Sequence, residues 1–278
     1  MRLIDSHAHL QSDRFTADVD LVLGGAKLAG IERILVPGWD VDSTAGALAL
    51  TERYPWLDDS AGVHPHDAEL VDDDAWSRLR TLAADDRIVA IGETGLDFDR
   101  MFAPPLAQLA NLRRNLALAV ETGKPVILHC RSAAGERDAQ DHLLAELRSF
   151  AGIRPLIHSF SGPVDYASAV LELGAVISFS GLVFRSGEEA SADVARLVPR
   201  DRLLVETDSP FLSPPGAPRR RNEPEWVRVT AAWLATQRGE DEEVLGQALV
   251  DNYDALFGSH SSTTLAQRLS YPGAADTA

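Results

Sequence analysis

The sequence predicts an α/β fold, a (β/α)8 or TIM barrel with one helix added at its C-terminal end. Short apolar, β-like runs alternate with amphipathic helical patterns through most of the chain, which is the mark of parallel βα units. Eight such runs fit within 278 residues, a length that suits one barrel. Histidine, glutamate or aspartate follows six of the runs directly, and in this fold the C-terminal strand ends carry the chemistry.

Strands are predicted near residues 2–5, 33–36, 59–63, 88–92, 126–128, 155–157, 175–179 and 203–206. Helices are predicted between them at 18–29, 41–53, 74–84, 106–122, 139–149, 164–173 and 190–198, with an eighth at 224–236. The first strand runs through Leu3-Ile4-Asp5 into His7 and His9, and alternation along an extended chain sets Asp5, His7 and His9 on one side. The third ends in Gly62-Val63 before His64 and His66, and the fourth in Ile91-Gly92 before Glu93. The fifth ends in Ile127-Leu128 before His129, the sixth in Leu156-Ile157 before His158, and the eighth in Leu204-Val205-Glu206-Thr207 before Asp208. Of the eight histidines only His142 and His260 fall outside this pattern. Residues 241–257, patterned with Val244, Leu245, Leu249 and Leu256, read as the added helix, packed on the outside. No Pro/Gly/Ser-rich linker divides the chain, so residues 1–258 are expected to form one domain, with 259–278, rich in Ser, Thr, Ala and Gly, a flexible tail.

A net charge of −16 argues against a broad surface for polyanions, although a local basic patch beside a metal site is compatible with it. Cys130 is the only cysteine, which excludes an intramolecular disulfide and fits a reducing cytoplasm. The N-terminus has no charged leader with an apolar core, and no apolar run approaches the length of a membrane span. A cytoplasmic protein with no membrane partner, monomeric or weakly oligomeric, is expected.

A barrel would gather His7, His9, Glu93, His129, His158 and Asp208 at one mouth. Imidazoles and carboxylates together suit zinc, manganese or a similar divalent ion, and a carboxylate between two imidazole-bound ions can bridge them. Such a site polarises a phosphoryl or carbonyl oxygen and lowers the pKa of a water. Ordinary rim polarity is a poor account of six ligand-type side chains converging in this way.

The stretches 4–10 (IDSHAHL), 62–66 (GVHPH), 91–97 (IGETGLD), 129–131 (HCR), 158–162 (HSFSG), 206–210 (ETDSP) and 221–224 (RNEP) occur in that order. Together they resemble the TatD family of metal-dependent deoxyribonucleases, among the amidohydrolase-like barrels. The resemblance implies two divalent ions (magnesium, manganese or zinc), one held by His7, His9 and Asp208, the other by His129 and His158, with Glu93 bridging. It implies His64 close to a bound phosphate, while His66 is either a rim hydrogen-bonding residue or a substrate contact. Asp5 and Glu206 are read as lying behind the ligands, each orienting an imidazole. Asp208 and Glu93 are expected to carry catalysis, Asp208 as proton acceptor or purely as ligand.

Arg131, Arg185, Arg219 and Arg220 are the expected substrate contacts, since arginine forks grip phosphate bidentately. Arg185 stands where the family often carries lysine. Arg219 and Arg220 either clamp phosphate or pair with nearby acids, and Arg221 is the one of the three best suited to a structural role. Trp39 is bulkier than the residue common at its position; packing within its loop is favoured over stacking on a base. The stretch 132–138 is longer than the family pattern, leaving open which acidic residue starts the next helix.

The expected activity is cleavage of phosphodiester bonds in DNA, at single-stranded ends. The alternative keeps the metals and changes the bond, to that of a lactone, amide, phosphotriester or aminoacyl-tRNA ester. Many such enzymes bridge their ions with a carboxylated lysine at a strand end, but the only lysines, Lys27 and Lys124, fall in the first helix and before the fifth strand. A catalytically idle binding subunit is the third reading, and the intact ligand set speaks against it.

Overall fold

The computed structural model describes residues 1–218 and 220–258; Arg219 and the expected tail at 259–278, with His260, lie outside the described residues. Its elements are β1 (Leu3–Asp5), α1 (Val19–Leu28), β2 (Ile31–Pro37), α2 (Val41–Arg53), β3 (Leu57–Ala61), α3 (Asp73–Ala83), β4 (Ile88–Asp97), α4 (Pro105–Thr122) and β5 (Val126–Arg131). There follow α5 (Asp138–Ser149), β6 (Pro155–Ile157), α6 (Val164–Glu172), β7 (Val176–Phe179), α7 (Ser191–Leu197), β8 (Leu203–Val205), α8 (Val227–Arg238) and α9 (Glu242–Phe257). Each strand from β1 to β7 pairs in parallel with the next. The ring closes where Ser6 N–H donates to the Val205 carbonyl (3.0 Å), Asp208 N–H to that of His7 (2.9 Å) and His9 N–H to that of Ser209 (2.7 Å).

Helix starts follow local capping chemistry. Asp40 accepts from Ser43 N–H while the Ser43 hydroxyl receives Asp40 N–H, a reciprocal box that opens α2. Asp72 caps α3 and Asp241 caps α9 in the simpler one-sided way. Asp138 begins α5, and Ala139 N–H donates both to it and to the Ser132 hydroxyl, so the long 132–138 stretch is tied back by serine.

The largest departure from the predicted elements is β4, which continues five residues past the expected end at Gly92. Gly92 and Gly95 permit close backbone approach within the longer strand. A Cβ on Gly95 would collide with the His129 carbonyl on β5, and one on Gly62 with the backbone of Gly92. The added helix α9 lies against β1 and β8. Its Tyr253 hydroxyl donates to Asp58 on β3 (2.7 Å), and its Asn252 amide to the carbonyls of Arg200 and Leu203. No helix among the described residues is long and apolar enough to cross a membrane.

Asp59 on β3 is buried and accepts a bond from the Thr51 hydroxyl (2.6 Å), while its other oxygen has no hydrogen-bond partner among the described residues. Burial pushes its pKa up to about 8, against the Thr51 bond, and neighbouring Asp58 adds to the rise. The unfolded chain releases this proton at about pH 4, so the stability tied to this group is complete below that and is lost as pH climbs towards 8. Urea midpoints for Asp59→Asn should therefore fall less between pH 5 and pH 8.5 than those of the wild type. Parallel slopes would remove Asp59 as the cause.

Candidate metal centre

The side chains of the cluster come from the second half of a strand or from the residues just after it. His7 and His9 follow β1, His64 and His66 follow β3, Glu93 lies within β4, His129 within β5, and His158 and Asp208 follow β6 and β8. Glu93 divides its carboxylate between two sides. Its Oε2 faces His7 Nε2 at 3.2 Å and His9 Nε2 at 3.9 Å, while Oε1 faces Nε2 of His158 (2.9 Å), Nδ1 of His129 (3.3 Å) and Nε2 of His64 (3.3 Å). Asp208 Oδ1 completes the first side, 3.2 Å from His9 Nε2 and 3.8 Å from His7 Nε2.

These separations suit cations. Two ligand atoms bound tetrahedrally to one ion at about 2.0–2.1 Å stand about 3.3 Å apart. His7 Nε2 to His9 Nε2 is 3.3 Å, and His129 Nδ1 to His158 Nε2 is also 3.3 Å. Ring nitrogens aimed at each other beside carboxylates hold their lone pairs where a positive ion belongs. The donor atoms form overlapping groups, His7–His9–Asp208, His7–Glu93–His158 and His64–Glu93–His129, each within 4.8 Å.

Hydrogen bonds on the far ring nitrogens decide what each imidazole can do. His158 Nδ1 lies 3.0 Å from Glu206 and His129 Nε2 lies 3.2 Å from Asp97, so each ring, once neutral, turns its other nitrogen inward as a lone pair. His64 differs. Its Nδ1 accepts His66 N–H (3.1 Å), which puts the ring proton on Nε2 and makes His64 a donor towards Glu93. Burial lowers the His64 pKa to about 4 despite Glu93, so this neutral tautomer persists at physiological pH. Geometry thus brings His64 into the cluster as a hydrogen-bond donor. Among the described residues, nothing accepts from the buried Nδ1 atoms of His7 and His9.

Electrostatics reinforce the grouping. Burial favours protonated Glu93, but the imidazoles of His158, His64 and His7 outweigh it and hold the carboxyl well below its ordinary range. Burial likewise opposes charge on Asp208, where His9, His7 and His158 win and lower the pKa. His158 is shifted well upward, burial being overcome by Glu93 and Glu206, and His129 is raised as Asp97 and Glu93 overcome burial. Burial, followed by the charge of His158, lowers His7.

Glu206 lies 3.0 Å from His158 Nδ1, whereas Asp5, expected behind an imidazole, bonds elsewhere. Its carboxylate accepts from Thr207 N–H (2.9 Å), the Thr207 hydroxyl (2.6 Å) and His7 N–H (3.3 Å), so it braces backbone where an imidazole was expected. The reason is register: β8 ends beside Asp5, and Thr207 reaches it first. The Asn222 amide then donates to the Thr207 carbonyl (3.0 Å), which ties the 221–224 stretch into the same loop. Together these contacts hold Asp208 at φ 54, a left-handed conformation that needs surrounding support.

Asp97 escaped the sequence reading of individual residues. It is buried, accepts from His66 Nε2 (2.8 Å) as well as facing His129, and receives Asp99 and Arg100 N–H groups. Its signal was present, since Glu93, Gly95 and Asp97 alternate along one strand, but the glycines hid the strand. His66 is consequently a rim residue bonded to Asp97. Arg131 pairs with Asp99 (2.8 Å), whereas Arg185 and Arg220 are exposed and without side-chain partners among the described residues. Arg221 binds Asp18, Glu223 and the Arg14 carbonyl, a structural role. Trp39 meets the edge of His9 with ring centres 5.3 Å apart. Both lysines are engaged elsewhere, Lys27 over Trp56 and Lys124 on the Ala83 and Asp85 carbonyls.

Known proteins are similar to this chain in sequence and fold. A family model for TatD related DNase matches residues 4–258. The chain is 39% identical over 264 residues to the 3′-5′ ssDNA/RNA exonuclease TatD of Enterobacter lignolyticus, covering 92% of this chain and 99% of that one. It is 32% identical over 259 residues to the uncharacterized metal-dependent hydrolase YabD of Bacillus subtilis, covering 92% and 98%. The crystal structure of YJJV, a TatD homologue from Escherichia coli, superposes with a TM-score of 0.84 at 31% identity, covering 93% of this chain and 98% of that one. A match that takes in every strand and all the converging ligand-type residues has one consequence: the chain belongs to the TatD related DNase family.

Proposed function

We propose that residues 1–258 form a single metal-dependent hydrolase domain that cleaves phosphodiester bonds of single-stranded nucleic acid, DNA in particular, from a 3′ end. The observation that carries this reading is Glu93, whose two oxygens serve separate groups of imidazoles. His7, His9 and Asp208 would hold one divalent ion, His129 and His158 the other, and Glu93 would bridge. Four imidazoles to two carboxylates favours zinc or manganese over magnesium, which prefers oxygen. Bound there, such ions supply Lewis acidity and a water that ionises near neutral pH.

The chain's own groups do the rest. Asp208, kept ionised by His9 and His7, accepts the proton of the attacking water. His64 offers its Nε2–H to a phosphate oxygen in place of Glu93. Glu206 and Asp97 hold His158 and His129 in the tautomers that face inward. Arg185 and Arg220, uncommitted within the chain, are available to phosphates further along the strand, whereas Arg131 must first release Asp99.

The direct test is incubation of metal-loaded protein with 5′-labelled and 3′-labelled DNA and RNA strands, beside a panel of esters and lactones. Stepwise loss from the 3′ end is expected; turnover of the esters alone would overturn the reading. Glu93→Gln should lower metal content on both sides together, and a variant retaining one full equivalent would contradict a bridge. Asp208→Asn should reduce turnover by about 10²–10⁴-fold with the circular dichroism spectrum unchanged, as befits loss of a proton acceptor.

Asp97→Asn removes the acceptor behind His129, and metal affinity should fall by about 10–100-fold. Nitrogen NMR of His129 should show the change of tautomer in the same variant; an unaltered ring signal would sink the assignment. Because His129 and His158 hold their protons above the ordinary histidine range, a divalent ion must displace those protons to bind. Titration calorimetry should show proton release and an affinity that keeps climbing with pH past 6.5. A flat profile would exclude these two imidazoles as ligands.

A further inference from the structure

The barrel exposes few large aromatic side chains, and where it does so is informative. Phe102 (67% exposed) and Phe211 (52%) are the only phenylalanine, tyrosine or tryptophan residues among the described ones to stand out as exposed; the others are buried or partly covered. Isolated exposed apolar residues need no explanation, but these two share one end of the molecule with the candidate metal centre. Phe102 lies in the loop after β4 and Phe211 in the loop after β8. In a ring of eight strands taken in order, β4 and β8 are four places apart, so the two loops face each other across the mouth.

Each ring is fitted edge to face with an imidazole of the cluster. Phe102 meets His66 with centres 4.6 Å apart and an interplanar angle of 86°; Phe211 meets His9 at 5.8 Å and 72°. Neither sits on a loose loop. Buried Gln108 accepts Asp97 N–H and donates to the carbonyls of Asp97 and Ala103, which clamps the 98–103 turn that carries Phe102. Phe211 N–H donates to the Asp208 carbonyl, and Asn222 N–H to that of Pro210, so Phe211 is fixed relative to a candidate ligand. Arg100 and Arg220, both exposed and without side-chain partners among the described residues, lie in the same two loops.

A rigid aromatic plate with a nearby cation is how proteins hold single strands without reading sequence, because every base offers a π-face. An acidic protein gains more from such plates than from a field of positive charge. Taking the phosphodiesterase reading above as given, we propose that Phe102 and Phe211 are base-stacking platforms on opposite sides of the metal centre. A single strand crosses the mouth between them, with the scissile phosphate lying between two stacked bases. The minimal good substrate is therefore a dinucleotide, and recognition is indifferent to base identity.

The test combines variants with abasic substrates. Steady-state kinetics of metal-loaded wild type, Phe102→Ala, Phe211→Ala and the two tyrosine variants would be measured on a short DNA strand. The same strand with an abasic site at the terminal or the penultimate position would be measured alongside. Each alanine variant should raise KM by roughly 5-fold to 150-fold on the intact strand, and tyrosine should restore it. On the strand lacking the base that meets a given platform, wild type should already show that loss and the alanine should add nothing. Wild-type-like KM in both alanine variants, or an alanine loss that persists on every abasic strand, overturns stacking. A wild type that cleaves neither the strand nor bis(4-nitrophenyl) phosphate overturns the phosphodiesterase reading itself, a result distinct from the other two.

Discussion

A carboxylate buried out of reach of bulk water is tolerable only if positive or hydrogen-bonding partners surround it, and Glu93 has such partners on both oxygens. Much of the molecule serves that constraint. Partners must arrive from both sides, which requires a closed ring of strands ending at one level. It also requires β4 to carry Glu93 deeper into the ring than a strand with side chains throughout would permit. Gly92, Gly95 and Gly62 make that approach possible, and the Ser60 hydroxyl holds the Gly92 carbonyl (2.5 Å) from β3. The candidate metal centre and the packing of β3, β4 and β5 are therefore one structural problem, solved by the absence of side chains at three positions.

The second dependency is the seam between the last strand and the first. The ring is closed by bonds between residues 6, 7 and 9 and the strand end and loop that contain Asp208, so closure and ligand placement coincide. Asp5 matters here as a brace. Burial raises its pKa to about 8 even though three donors from Thr207 and His7 pull the other way. A buried acid bonded to backbone N–H and hydroxyl groups, with Asn222 gripping Thr207 from the other side, restrains the loop that keeps Asp208 left-handed. Arg221 extends the brace to the turn before α1 through Asp18 and stacks over Phe15.

Much of this was legible from residues alone. Alternation of apolar runs and amphipathic patterns placed eight strands and nine helices, because those signals are local and repeat. The habit of the fold placed His7, His9, Glu93, His129, His158 and Asp208 at one mouth. The parts that were illegible share a cause: they depend on which atom of a group faces which neighbour. Nothing in the order of residues says that the backbone N–H of His66 claims His64 Nδ1, yet that bond turns His64 into a donor. Nor does it say that Thr207 reaches Asp5 before an imidazole can. Asp97 was hidden because glycine is both a turn signal and a means of close strand packing, and local pattern cannot separate the two uses.

Electrostatics sets the remaining condition. A chain of net charge −16 repels a polyanion at long range, and most of its arginines are spent on ion pairs with its own acids, as Arg33, Arg113 and Arg221 are. Within the mouth the proposed divalent ions would change that balance, offsetting the carboxylates of Glu93 and Asp208 where a phosphate would sit. Attraction is then confined to a short radius, and a duplex, whose charge is presented over a wide surface, meets mostly repulsion. On the proposed reading, a flexible strand end would enter with a single phosphate foremost while its bases rest on apolar plates that carry no charge penalty. An acidic exterior around a metal-loaded mouth would, on that same reading, select for strand ends by geometry as much as by affinity.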